Sequence, residues 1–134
     1  MTGRRGSVRR HVLIRRPASE VWDLLGDPAR IHHWFPGIVD STVEGDSRTI
    51  VTGSGLPMPE EIVTDDPLQR RFQYRITTPL FSEHLSTLDV IDLGDGTSLA
   101  VYSADTRPAT MALVIAGAAE NALHNARRML EGNP

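Results

Sequence analysis

Cysteine and lysine are both missing from the 134 residues. Without cysteine there is no disulfide, no thiolate nucleophile and no Cys-type zinc site. Without lysine, Schiff-base chemistry on a side-chain amine is excluded, and all 14 basic residues are arginine. Aromatic residues make up only 5% of the chain, so no stacking platform for nucleic acid accompanies the arginines. No apolar run approaches the roughly 20 residues that span a bilayer, and no apolar signal segment follows the basic start. We expect a cytoplasmic chain that neither inserts into membranes nor binds nucleic acid. Phosphate loop, dinucleotide fingerprint and serine-nucleophile elbow are all absent. The adjacent His32 and His33 point in different directions from a helix, with no carboxylate at metal spacing. Neither metal nor cofactor is expected.

What is present is ordinary for one globular domain: 40% apolar and 23% charged residues. The charge is uneven. Arg4, Arg5, Arg9, Arg10, Arg15 and Arg16 all precede residue 17, while the other eight arginines and all 17 acidic residues follow it, for a net charge of −3. Residues 1–6 carry no apolar face to bury and read as a basic, flexible arm. Residues 7–132 read as a single domain.

Periodicity divides that domain. Val8 to Arg16 alternates as a strand and ends at Pro17. Ala18 to Leu25 is a short helix with Val21, Trp22 and Leu25 on one side. Asp27-Pro28 opens a second short helix carrying Ile31 and Trp34, because proline's fixed φ suits the first helical position. Strands follow near 38–44, 48–53, 58–64, 70–77, 84–93 and 97–106. In the segment from Arg70 to Thr77, Phe72, Tyr74 and Ile76 share one face and Arg71, Gln73 and Arg75 the other. That alternation belongs to an antiparallel sheet with one covered face.

The final segment, from Pro108 to Gly132, predicts roughly 36 Å of helix. Arg127 and Arg128 lie in its last turns, where they complement the helix dipole. Met111, Ile115, Ala118, Ala119, Ala122, Ala126 and Met129 form the expected inner stripe. Met111 to Ala119 carries no charge at all, so this half is covered on more than one side, or borders an apolar opening or an interface, a homodimer among them. The whole is an α+β domain: a curved antiparallel sheet wrapped around a long C-terminal helix, with two short helices after the first strand. A helix stripe rich in alanine, opposite aromatic strand residues, leaves volume for an apolar pocket.

Several stretches resemble the START-like superfamily, the polyketide cyclase/dehydrase and lipid-transport group that is birch-pollen-allergen-like in fold. They are Val21-Trp22-Asp23-Leu24-Leu25-Gly26-Asp27-Pro28, Ile31 through Trp34-Phe35-Pro36-Gly37, Glu61-Ile62 ahead of Asp65-Asp66, Arg70-Arg71-Phe72-Gln73-Tyr74, and Gly94-Asp95-Gly96-Thr97. The resemblance implies the helix-grip fold and a ligand cavity. Ser54-Gly55-Leu56-Pro57 is similar to the gate loop of plant abscisic acid receptors in the same superfamily. There a pocket glutamate follows, matched here by Glu61, and a pocket Tyr-x-Ser corresponds to His84-Leu85-Ser86. The lysine that anchors the hormone and the His-Arg-Leu latch have no counterpart, the latter around Pro79-Leu80-Phe81. Hormone reception is therefore not implied.

Register decides which polar groups face the cavity. If Asp95-Gly96 is a two-residue turn, Ser86 faces Asp105, Leu88 faces Ser103 and Val90 faces Val101. A three-residue loop would turn Tyr102 inward and Asp105 outward. We take the two-residue turn. The inner face then offers Tyr74, His84, Ser86, Ser103 and Asp105, with Glu61 across from Tyr74. Trp34, Leu56, Phe72, Leu88, Val101, Met111, Ile115, Ala118, Ala119 and Ala122 complete the expected ligand-binding wall. The leading expectation is a carrier or sensor of a small hydrophobic molecule, a lipid, polyketide or sterol-like compound. The alternative is a polyketide cyclase or dehydratase using His84 with Glu61 or Asp105 as acid and base.

Overall fold

In the computed structural model, which describes residues 3–132, seven strands form one antiparallel sheet. They are β1 (Gly6–Ile14), β2 (Ile38–Glu44), β3 (Ser47–Thr52), β4 (Pro57–Asp66), β5 (Arg71–Ile76), β6 (Glu83–Asp92) and β7 (Ser98–Arg107). Their order is β1-β7-β6-β5-β4-β3-β2, a run of hairpins with the first strand added beside the last. Between β1 and β2 come α1 (Ala18–Leu25), a 3-10 turn (Pro28–Arg30) and α2 (Ile31–Trp34); α3 (Met111–Glu131) ends the fold. This is the expected helix-grip architecture. Among the described residues, no helix is long and apolar enough to cross a membrane.

Local chemistry sets the helix ends. A Cβ on Gly26 would lie 2.4 Å from the Trp22 ring, so only glycine lets the indole fold over the end of α1. The Asp27 side chain accepts from the Ala29 N–H at 3.1 Å and caps the turn that leads into α2. His32 Nδ1 bonds Ser41 Oγ at 2.7 Å, and that hydroxyl donates to the Ala29 carbonyl, so His32 ties α2 to β2. Gly132 closes α3 in the left-handed conformation, at φ 71°.

The buried face of α3 is Ala112, Ala116, Ala119, Ala122, Leu123 and Ala126. Ala119, Ala122 and Ala126 were expected there. Ala118 and Met129 are instead exposed, and Met111 and Ile115 are half-buried. The helix turns its smallest residues to the sheet, where it packs on β1 and β7. Small residues let the helix sit close to the strands, which closes the space that alanine was expected to leave open.

Two further corrections concern register. Leu93 N–H donates to the Thr97 carbonyl at 3.1 Å, so the β6–β7 loop has three residues, Gly94-Asp95-Gly96. Both glycines take positive φ, 85° and 83°, and the Asp95 carboxylate accepts from Thr97 N–H at 3.1 Å. The strands therefore pair Ser86 with Ala104, Leu88 with Tyr102 and Val90 with Ala100. Tyr102 points inward; Val101, Ser103 and Asp105 point outward. In β4 the register shifts between Ile62, opposite Tyr74, and Thr64, opposite Gln73, leaving Val63 as a bulge. An unbulged strand running back from Asp66, opposite Arg71, would turn Glu61 inward. The extra residue reverses the alternation and turns Glu60 inward instead.

The N-terminal arm also differs from expectation. Gly6 belongs to β1, opposite Thr106. Arg5 pairs with Glu83 at 3.2 Å, and Arg107 donates to the Gly3 carbonyl at 2.9 Å. A Cβ on Gly6 would meet the Ala109 carbonyl oxygen at 2.3 Å. Residues 1 and 2 lie outside the described residues.

Candidate functional site

The inner face of β3 to β7 carries a buried polar cluster in an otherwise apolar core. Arg48 enters from β3 and Glu60 from β4, because each alternates with an inward aliphatic, Ile50 and Ile62. Their side chains are 2% exposed, with Arg48 Nε donating to Glu60 Oε1 at 2.6 Å. The guanidinium carbon lies 4.7 Å from the Tyr74 ring centre and 5.3 Å from that of Phe72. Arg48 also donates to the Pro28 carbonyl at 3.3 Å, which ties the cluster to the turn before α2. Burial raises the Glu60 carboxyl above its usual range, opposed by the charge and hydrogen bond of Arg48.

Two further hydrogen-bonded pairs lie beside this cluster on β5, β6 and β7. Tyr74 and Tyr102 bond through their hydroxyls. Burial raises the pKa of both phenols, so both are neutral at pH 7. Ser86 Oγ lies 2.9 Å from His84 Nε2. The Ile76 backbone N–H donates to His84 Nδ1 at 2.8 Å. A nitrogen that accepts from an amide carries no proton, so the ring's proton is on Nε2 and is donated to Ser86. His84 is 3% exposed. Burial, and then the charge of Arg75, lower it to about 4. At neutral pH it is uncharged, and its one basic lone pair is occupied.

Trp34 is fully buried under this face, and Asn125 of α3 donates to its backbone carbonyl at 3.0 Å, joining α2 to α3. Between α1, α2 and the sheet lies a small enclosed space of about 10 Å³. It is lined by Leu25, Ile31, Trp34, Arg48, Phe72, Tyr74, Leu88 and Tyr102. One water molecule is about what such a volume holds.

Of the residues expected at the site, the fold brings together Trp34, Phe72, Tyr74, His84, Ser86 and Leu88, with Ala119 and Ala122 in the same core. Ile115 packs at its edge. The rest are elsewhere. Leu56 is 60% exposed at the tip of the β3–β4 hairpin. Glu61 is on the outer face, paired with Arg75 at 3.5 Å. Val101 and Ser103 line a hollow on the outer face with Arg9, His11 and Arg71. Asp105 is on that face too, accepting a hydrogen bond from Ser7. Met111 is half-buried at the start of α3, and Ala118 faces solvent. The expected acid-base pairs are therefore separated by the sheet itself. Two interior groups were missed, Arg48 and Glu60; Tyr102 was expected inward only under the three-residue loop, which is the one found. The available signal was opposite charge at inward-alternating positions of neighbouring strands.

The family described as polyketide cyclase/dehydrase and lipid transport matches residues 5–131. The chain belongs to that family. Its START-type fold is shared by solved structures at low identity. XoxI from Bacillus cereus is 20% identical, with a TM-score of 0.87 over 94% of this chain and 96% of that one. A START superfamily protein from Mycobacterium smegmatis is 14% identical, with a TM-score of 0.76 over 96% and 99%. The ZhuI aromatase/cyclase from Streptomyces sp. R1128 is 19% identical, with a TM-score of 0.74 over 96% and 94%. No curated protein sequence matches.

Proposed function

We propose that this family member binds a small hydrophobic molecule, of lipid, polyketide or sterol-like type, and carries or senses it without transforming it. The observation that carries the reading is the enclosed space between α1, α2 and the inner sheet, walled by Leu25, Ile31, Trp34, Phe72 and Leu88. In the closed form it has room for about one water, so a ligand enters by displacing side chains. We assign that movement to α2, a single turn of helix, and to the β3–β4 hairpin, whose Gly53 N–H bonds the Gly37 carbonyl in the turn that follows α2.

The chemistry of His84 supports binding over turnover. Its acceptor nitrogen is taken by a backbone amide, and neither Glu61 nor Asp105 is on its side of the sheet. One observation favours the second reading, a cyclase or dehydratase. Glu60 is a buried carboxyl held above its ordinary pKa, the kind of group a general acid requires. Native mass spectrometry of protein purified from its own host separates the two. A retained apolar molecule, unchanged after incubation with the protein, supports the carrier. Release of a chemically altered molecule supports the enzyme, and protein that neither retains nor takes up any such molecule contradicts both.

A further inference from the structure

Among the described residues, three buried side-chain polar atoms make no hydrogen bond: Thr78 Oγ1, and two donors, Trp34 Nε1 and Arg48 Nη2. The two donors belong together. Both residues line the enclosed space under α2. A buried donor left unpaired is a cost to stability, and a bound acceptor placed between the two relieves it at both ends.

The charge around that space selects the acceptor. Arg48 is already balanced by Glu60, which holds its Nε at 2.6 Å, and the Tyr74 and Phe72 ring faces lie against its guanidinium. A carboxylate ligand would bring a second anion to one desolvated cation, leaving one buried negative charge unmatched. A ligand polar only through N–H groups would meet donors with donors. A ketone, enone or ester oxygen needs neither a counter-charge nor a proton.

We infer that Trp34 and Arg48 together receive one neutral acceptor oxygen, so that the ligand is a carbonyl-bearing apolar molecule and not a free fatty acid. This rests on the binding reading above and narrows its ligand class.

The test uses three naphthalene probes that share a dimethylamino ring and differ at one position. They are the 6-propionyl ketone, the 6-propyl hydrocarbon and the 6-carboxylate, each titrated calorimetrically at pH 7. The expected result is ketone binding about tenfold or more tighter than either counterpart, a difference of about 1.4 kcal/mol. Trp34→Phe keeps an aromatic ring and loses the N–H. It should weaken the ketone about tenfold more than it weakens the hydrocarbon. Should Trp34→Phe not fold, the double variant Arg48→Met/Glu60→Leu removes the other donor without stranding a charge, and the same selective loss is expected. Equal binding of ketone and hydrocarbon overturns this inference alone. Tighter binding of the carboxylate does the same, as does equal weakening of both neutral probes by either variant. Binding of none of the three overturns the inference and the binder reading together.

Discussion

The backbone N–H of Ile76 donates to Nδ1 of His84 at 2.8 Å. Protonation of that nitrogen would set N–H against N–H in a buried place. This agrees with a pKa lowered to about 4 by burial and by Arg75. The unfolded chain takes up the proton near 6.5 and the folded protein only near 4. The stability held by neutral His84 is therefore complete above about 6.5 and is lost as pH falls toward 4. The loss is on the order of 3 kcal/mol. An NMR titration should find the His84 ring unchanged down to about pH 5, and denaturation midpoints should fall across the same window. A His84 resonance titrating near 6.5 would break this account of the site.

Arg48 and Glu60 should behave as a unit. Arg48→Met leaves a buried carboxylate without its partner, and the expected cost is about 3–5 kcal/mol. Arg48→Met/Glu60→Leu removes both charges and should recover most of it. Urea denaturation of the single and double variants measures this directly. Equal destabilisation by both would mean that the pair is held by packing and not by charge.

On α3, a single residue step should separate tolerance from damage. Ala118 faces solvent and Ala119 faces the core. Ala118→Phe should change stability by no more than about 0.5 kcal/mol and leave ligand uptake intact. Ala119→Phe should cost about 1–3 kcal/mol by overpacking. Thermal unfolding with an environment-sensitive dye reads both. Loss of dye uptake in Ala118→Phe would move the ligand to the outer side of the helix.

Gly6 has no room for a side chain, since a Cβ would lie 2.3 Å from the Ala109 carbonyl oxygen. Gly6→Ala should cost about 1–3 kcal/mol as the strand and the turn before α3 are forced apart. Deleting residues 1–6 should also lower the melting temperature, because β1 loses its first pair with β7. An unchanged melting temperature in both would show that this end of β1 is dispensable.

Most of the fold was legible in the sequence. Phe72, Tyr74 and Ile76 alternate cleanly with arginines and glutamine, and Pro17, Asp27-Pro28 and Gly132 mark element ends by their backbone chemistry. The site was less legible, for two reasons of one residue each. A bulge at Val63 exchanges Glu61 for Glu60. One more loop residue between β6 and β7 exchanges Ser103 and Asp105 for Tyr102 and Ala104. Side chains alternate with period two, so a single insertion moves a whole strand's worth of chemistry to the other face. The helix stripe was misjudged for a different reason. Bulk was taken as the mark of burial at Met111 and Met129, whereas close approach of α3 to β1 and β7 selects alanine.

The central claim is that a small apolar molecule binds inside, beside Trp34. The chain has two tryptophans, and Trp34 is buried at the site while Trp22 lies half-buried over Gly26. Their indole N–H signals in a nitrogen-proton correlation spectrum report the two places separately. On titration with the propionyl-naphthalene ketone, the Trp34 signal should move downfield as its N–H gains an acceptor, with Trp22 nearly still. Saturable binding that leaves the Trp34 indole signal unmoved would contradict the account.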